Sequence, residues 1–231
     1  MARTPVALAW SGGKDSALAL DALRNDPGIE LVALITTVTA GDGRIAIHGV
    51  PRSVLHAQAA ALGIGVTEVP LGPRPTNAEY EAAFATALSA LRTEFQGLAR
   101  IAFGDLFLAD IRAYRESQFA ALGWQPLFPL WQRDTTELAR EFIARDFHAI
   151  LTCVDTSQIG AHFAGREFDA ALLAELPSNA DPCGENGEFH TCVYAGPIFR
   201  HALTLRTGAR SLRDARFSYC DVTLDEDAPP P

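Results

Sequence analysis

The chain has 231 residues, 48% of them hydrophobic and 20% charged, the balance of a globular protein with room for one large domain or two small ones. No run approaches the ~20 apolar residues of a bilayer span, and the Met-Ala-Arg-Thr-Pro start carries no small-residue cleavage site, so neither a membrane nor a secretory route is expected. Nineteen Lys and Arg against 28 Asp and Glu leave a net charge of −9, which repels a polyanion and sets nucleic acid aside as a partner.

In chain order, the first hundred residues alternate short aliphatic runs with amphipathic segments, the pattern of a parallel sheet with crossover helices. Strands are predicted over Val6 to Trp10, Leu31 to Thr37, Val66 to Val69 and Arg100 to Phe103, with helices over Asp15 to Arg24 and Arg52 to Leu62, the second closed by Gly63. Tyr80, Phe84, Leu88, Leu91 and Phe95 recur at helical steps, and their stripe reads as packing. In the second half a helix is predicted from about Ile111 to Leu122, ending at Gly123, and another after a cap at Asp134 or Thr135. His148 to Val154 reads as a buried strand. The chain then turns loop-like after Pro177, with later strands near Cys192 to Ala195, Ala202 to Arg206 and Phe217 to Leu224. Asp225 to Pro231, acidic and proline-rich, is expected to be disordered. The four cysteines, Cys153, Cys183, Cys192 and Cys220, form no C-x-x-C pair, which argues against a zinc ribbon or dithiol motif and for free thiols in a reducing cytoplasm.

The sharpest local signal is Ser11-Gly12-Gly13-Lys14-Asp15-Ser16, between a strand and a helix. Two adjacent glycines let successive backbone N–H groups converge on one anion at a helix N-terminus. The hydroxyls of Ser11 and Ser16, the Lys14 ammonium and the helix dipole add to the same attraction. Asp15 is placed either to help hold Mg²⁺ at the phosphates or to cap the helix. The hexapeptide resembles the S-G-G-x-D-S signature of the PP-loop ATP pyrophosphatases, of the adenine nucleotide alpha hydrolase-like superfamily. That resemblance implies cleavage of ATP to AMP and pyrophosphate; the competing reading is a tight turn with helix-capping serines.

Further along, His48 falls in the loop after the second strand, where contact with adenosine or substrate and plain solvation are equal readings. Gly104 and Asp105 follow a strand end and become candidate nucleotide or Mg²⁺ contacts if that strand shares the sheet of the phosphate turn. Arg112 and Arg115, spaced i, i+3, can counter a phosphate or carboxylate, although Glu116 also suits an ordinary surface network. Asp181 to Thr191 concentrates acid, amide, imidazole and hydroxyl groups in a glycine-rich loop. Strand alternation there puts Glu188 and His190 on one face and Phe189 and Thr191 on the other, and a carboxylate beside an imidazole can bind an amine or move a proton. Zinc fits poorly, since Cys183 and His190 lack a ligand spacing.

Ser11 to Ser16, Gly104-Asp105 with Asp110 and Arg112, the Pro126 to Trp131 segment with Asp134 and Thr135, and Asp181 to Phe199 together resemble the diphthine–ammonia ligase family over roughly residues 6 to 200. The resemblance implies an α/β fold: an N-terminal HUP-like parallel sheet with flanking helices plus a smaller C-terminal α/β domain. The expected division is 1–104 for ATP binding, 105–224 for substrate and catalysis, with the Asp181 to Thr191 loop closing the site, and 225–231 as a tail. It also implies that a carboxylate is adenylated and then converted to an amide by ammonia. Where the eukaryotic and archaeal ligases typically read Gly-Glu-Gly-Gly-Glu-Tyr-Glu-Thr, this chain has Asn186 and His190, a form that resembles a bacterial branch for which diphthine is not the expected substrate.

On this reading Lys14, Asp15, Glu185, Glu188 and His190 are catalytic. ATP and Mg²⁺ are held by Ser11, Gly12, Gly13, Lys14, Asp15, Ser16, His48, Gly104 and Asp105, with Asp15 on the metal, and the acyl substrate by Arg112, Asn186 and Thr191. The expected partners are a small or protein-borne carboxylate and ammonia, and a homodimer is left open. A nucleotide-binding regulator without turnover and a tRNA-thiolating PP-loop enzyme are the alternatives; the net charge and the lack of C-x-x-C weigh against the latter.

Overall fold

Val6, Ala7 and Leu8 are fully buried, so β1 (Thr4–Ala9) is covered on both faces, the environment of a central parallel strand. The structure, a computed structural model, describes residues 2–41, 43–45 and 48–225. The chain divides into two compact units, one comprising Met1–Ser11, Asp15–Arg44 and Ile64–Gln132, the other Gly12–Lys14, Ile45–Gly63 and Arg133–Pro231.

In the first unit β1 is flanked by β2 (Ile29–Thr39) and β5 (Arg100–Ala102). With the two-residue β3 (Arg44–Ile45) and with β6 (Gln125–Leu127), the sheet order is β3-β2-β1-β5-β6, and β4 (Val66–Leu71) also pairs with β2. The β1–β2, β1–β5, β2–β4 and β5–β6 pairings are all parallel, which gathers the carboxyl ends of these strands at one edge of the sheet. The helices of this unit are α1 (Lys14–Arg24), counted from its second residue, α3 (Asn77–Glu94) and α4 (Ala109–Ala121). The predicted stripe on α3 is core: Phe84, Leu88 and Leu91 are buried with Phe119 and Trp124, and Tyr80 and Phe95 pack against them. A capping box fixes where α3 starts, Thr76 accepting from the Glu79 N–H while the Glu79 carboxylate accepts from Thr76. The HUP-like parallel sheet with flanking helices is present as expected.

The second unit is built on a smaller, antiparallel sheet. Its strands are β7 (His148–Asp155), β8 (Phe189–Ala195), β9 (Leu205–Arg213) and β10 (Phe217–Leu224), in the order β8-β7-β10-β9. Its helices are α2 (Arg52–Leu62), α5 (Thr135–Ala144) and the short α6 (Ala170–Glu175). Gly63 ends α2 in the left-handed conformation at φ 70°, and Asp134, of the two candidate caps, accepts the Glu137 N–H at the start of α5. Phe142 stacks on Phe147 and meets Phe168 edge-on, at centroid distances of 5.0 and 5.4 Å.

Two expectations, the strand over Ala202 to Arg206 and the disordered tail from Asp225, are corrected. β6 pairs with β5 and Phe119 and Trp124 fill the first core, so residues 105–132 fall in the first unit. Pro126 lies inside β6, tolerated because that strand ends the sheet path and a proline needs no ladder partner for its nitrogen on the open side. The strand predicted over Ala202 to Arg206 instead runs from Leu205 to Arg213, drawn out by antiparallel pairing with β10. Of the expected tail, Asp225 donates its N–H to Thr204 O and pairs with Arg206 at 2.7 Å, while residues 226–231 lie outside the described residues. Among the described residues no helix is long and apolar enough to cross a membrane.

Candidate active site

The turn after β1 is held by hydrogen bonds from distant segments. Gly12 adopts φ 78°, and a Cβ there would lie 2.8 Å from Gln58 Oε1, so both its conformation and its surroundings demand glycine. Its carbonyl accepts two hydrogen bonds, from Val193 N at 2.8 Å and from Gln58 Nε2 at 3.1 Å. Lys14 N–H donates to Thr191 Oγ1 at 3.0 Å. The Lys14 side chain is buried, its ammonium 5.6 Å from the Phe189 ring and 5.9 Å from that of Phe168, both cation–π distances. Gln58, Phe168 and Val193 were not among the residues expected here. Only Gln58 leaves a trace in the sequence, as an amide among Leu55, Ala59 and Leu62 on the apolar face of α2.

In the same unit the Asp181 to Thr191 loop uses its own carboxylates to close itself. Asp181 Oδ1 accepts from Cys183 N and Glu185 N, and Oδ2 from Thr135 Oγ1 at 2.6 Å. Glu188, buried, accepts from Asp181 N at 2.7 Å, Asn186 N at 3.0 Å and Asn186 Nδ2 at 3.2 Å. Glu188 and Asn186 therefore bond one another and shape the loop. Glu185, like Asp181, is partly exposed.

Strand alternation turns Phe189 and Thr191 toward Lys14, and the ring beside His190 is that of His48, with centroids 4.6 Å apart. His48 Nδ1 lies 3.4 Å from Thr191 O, a contact that requires the proton on Nδ1. Its Cε1 is 3.2 Å from where a Gly13 Cβ would stand, so His48 packs directly on the Ser11–Ser16 turn. Burial, opposed by the Thr191 carbonyl and reinforced by Lys14, lowers the His48 pKa to about 4. Burial, His48 and Lys14 lower that of His190 to about 3. Both rings are neutral at physiological pH.

The first unit carries the remaining expected residues. Ser11 Oγ donates to Ser16 Oγ at 3.2 Å. Gly104 lies against the backbone of Asp15 and Ser16, where a Cβ would come within 2.9 Å of the Asp15 carbonyl carbon. Asp105 is paired with Arg115 at 2.8 Å, and that guanidinium also covers the Phe103 ring at 4.1 Å. Arg112 pairs with Glu116 at 2.7 Å and lies over Trp131 and Phe128 at 4.6 and 5.0 Å, the surface network foreseen as the ordinary outcome. All four cysteines are buried thiols outside any disulfide, and burial pushes the Cys192 thiol up to about 12. Among the described residues no group of three or more His, Cys, Asp or Glu side chains could hold a metal ion.

Residues 4–123 match the diphthamide synthase N-terminal domain, more than half of the chain, and residues 134–224 match the diphthamide synthase C-terminal domain. The chain belongs to the diphthamide synthase family. Its relatives in that family include the diphthine–ammonia ligase of Schizosaccharomyces pombe, 26% identical over 117 residues, and that of Rattus norvegicus, 29% identical over 114. These matches cover 49% and 47% of this chain, and 19% and 43% of the two relatives, so the chain spans less than half of either ligase. Both diphthamide synthase domains are nevertheless represented in it, one on either side of residues 124–133.

Proposed function

We propose that this member of the family is an AMP-forming, ATP-dependent ligase that joins ammonia to a carboxylate. The carrying observation is the Ser11–Ser16 turn at the carboxyl end of β1, with the Gly12 carbonyl drawn back onto Gln58 and Val193 and α1 starting within it at Lys14. A turn of this kind offers backbone N–H groups and a helix N-terminus to an anion.

A carboxylate resists attack by ammonia until one of its oxygens becomes a leaving group. The substrate carboxylate attacks the α-phosphorus of ATP, the bond to the β-phosphate oxygen breaks, and pyrophosphate departs from the turn. Ammonia then attacks the acyl carbon, the bond to AMP breaks, and the nitrogen loses a proton. Asp15 would hold Mg²⁺ through a carboxylate oxygen, a hard donor that suits this ion. Bound with the triphosphate, Mg²⁺ neutralises its charge.

His48, its Nδ1–H engaged by Thr191 O, offers the Nε2 lone pair, and neutral His190 offers one N–H and one lone pair, enough to orient an amine and to pass its proton on. In this reading Glu185 takes that proton, whereas Glu188 acts by holding the loop in shape. Diphthine, the substrate in the relatives' name, is not the substrate proposed here; the change to Asn186 and His190 points to a different carboxylate. Incubating the protein with ATP, Mg²⁺, ammonium and a metabolite extract should release AMP and pyrophosphate together with one new amide detectable by mass spectrometry. AMP-free mixtures would refute the reading.

A further inference from the structure

Gln58 is fully buried on the apolar face of α2, beside Leu55, Ala59 and Leu62. An amide in such surroundings is costly unless bonded, and Gln58 Nε2 donates to two carbonyls, Val193 O at 2.6 Å and Gly12 O at 3.1 Å. Val193 N reaches the same Gly12 oxygen at 2.8 Å. Two donors thus pin one carbonyl of the phosphate turn. The chain has no cis peptide among the described residues, so the Gly12 carbonyl and the Gly13 N–H lie in one peptide plane and point in opposite directions. Fixing the carbonyl on Gln58 and Val193 therefore fixes the N–H on the other side. Were this plane reversed, a carbonyl oxygen would face the anion and repel it.

We infer that Gln58 is a positioning residue for nucleotide: by clamping the Gly12 carbonyl it holds the Gly13 N–H ready for a phosphate oxygen. The inference rests on the ATP reading proposed above and adds a residue that touches no nucleotide atom. Adenosine, which has no phosphate, does not need the clamp; ATP and pyrophosphate do.

Titration calorimetry of the wild-type protein and of Gln58→Met with MgATP, pyrophosphate and adenosine separates these roles, with circular dichroism reporting that the variant is folded. Gln58→Met is expected to lose about tenfold or more in affinity for ATP and pyrophosphate while adenosine stays within about twofold. A folded variant that keeps its ATP affinity, or one that loses adenosine in parallel, overturns the inference while leaving the ATP reading standing. Should Gln58→Met not fold, the amide resonance of Gly13 in wild-type protein is the readout. It should move on adding pyrophosphate, and a Gly13 signal that stays still while its neighbours shift overturns the inference. Wild-type protein silent to both ATP and pyrophosphate overturns the ATP reading and this inference together.

Discussion

The backbone N–H of Lys14 and the hydroxyl of Thr191 are hydrogen-bonded at 3.0 Å, tying the first residue of α1 to β8 across 177 positions of sequence. One of the donors expected to face phosphate is thereby engaged by the protein, which gives Thr191 a part in shaping the turn. Thr191→Val keeps the shape but removes the acceptor, and should lower stability by about 1–3 kcal/mol, the usual cost of stranding a buried donor. Thr191→Ser should recover most of that loss. Urea unfolding of the two variants decides the point, and equal midpoints would show that the contact carries no weight.

Glu188 binds two backbone N–H groups and the Asn186 side chain, all within its own loop. Glu188→Ala should therefore loosen residues 181–188 and cut amide formation by about tenfold or more, while ATP affinity changes by less than about twofold. Hydrogen exchange across the loop and a calorimetric ATP titration test the two halves separately. Loss of ATP affinity in step with product would contradict a role confined to the loop.

Both His48 and His190 titrate below the ordinary 6.5, at about 4 and about 3. Between pH 6.5 and about 4 the unfolded chain takes up protons that the folded chain refuses, so the contribution to stability is whole above pH 6.5 and falls on acidification. The His48→Gln variant should show a shallower fall over that window. The ring signals in NMR should stay those of neutral imidazole at pH 6, and a midpoint near 6.5 for either ring would contradict the burial seen here.

Asp15 is the carboxylate of the Ser11–Ser16 turn and the residue proposed to hold Mg²⁺. Asp15→Asn should lower AMP release by about tenfold or more and raise the Mg²⁺ concentration needed for half-maximal rate. Chelation with EDTA should stop wild-type turnover. An unchanged Mg²⁺ dependence in the variant would remove Asp15 from the metal.

What could be read directly from the residues was local. The 52–62 helix with its glycine stop, the buried stripe from Tyr80 to Phe95, the cap at residue 134 and the strand–turn–helix around Ser11 to Ser16 all follow from neighbours a few positions apart. Their causes are helical periodicity, capping and the freedom of glycine, which act within a turn or two. The pairing of His190 with His48, the hold of Thr191 on Lys14 and the clamp of Gln58 on Gly12 and Val193 had no such signal. Each joins segments separated by tens to well over a hundred residues. A buried polar group finds its partner only once strand register and helix docking have been set, and nothing in the spacing of the chain announces which carbonyl it will meet.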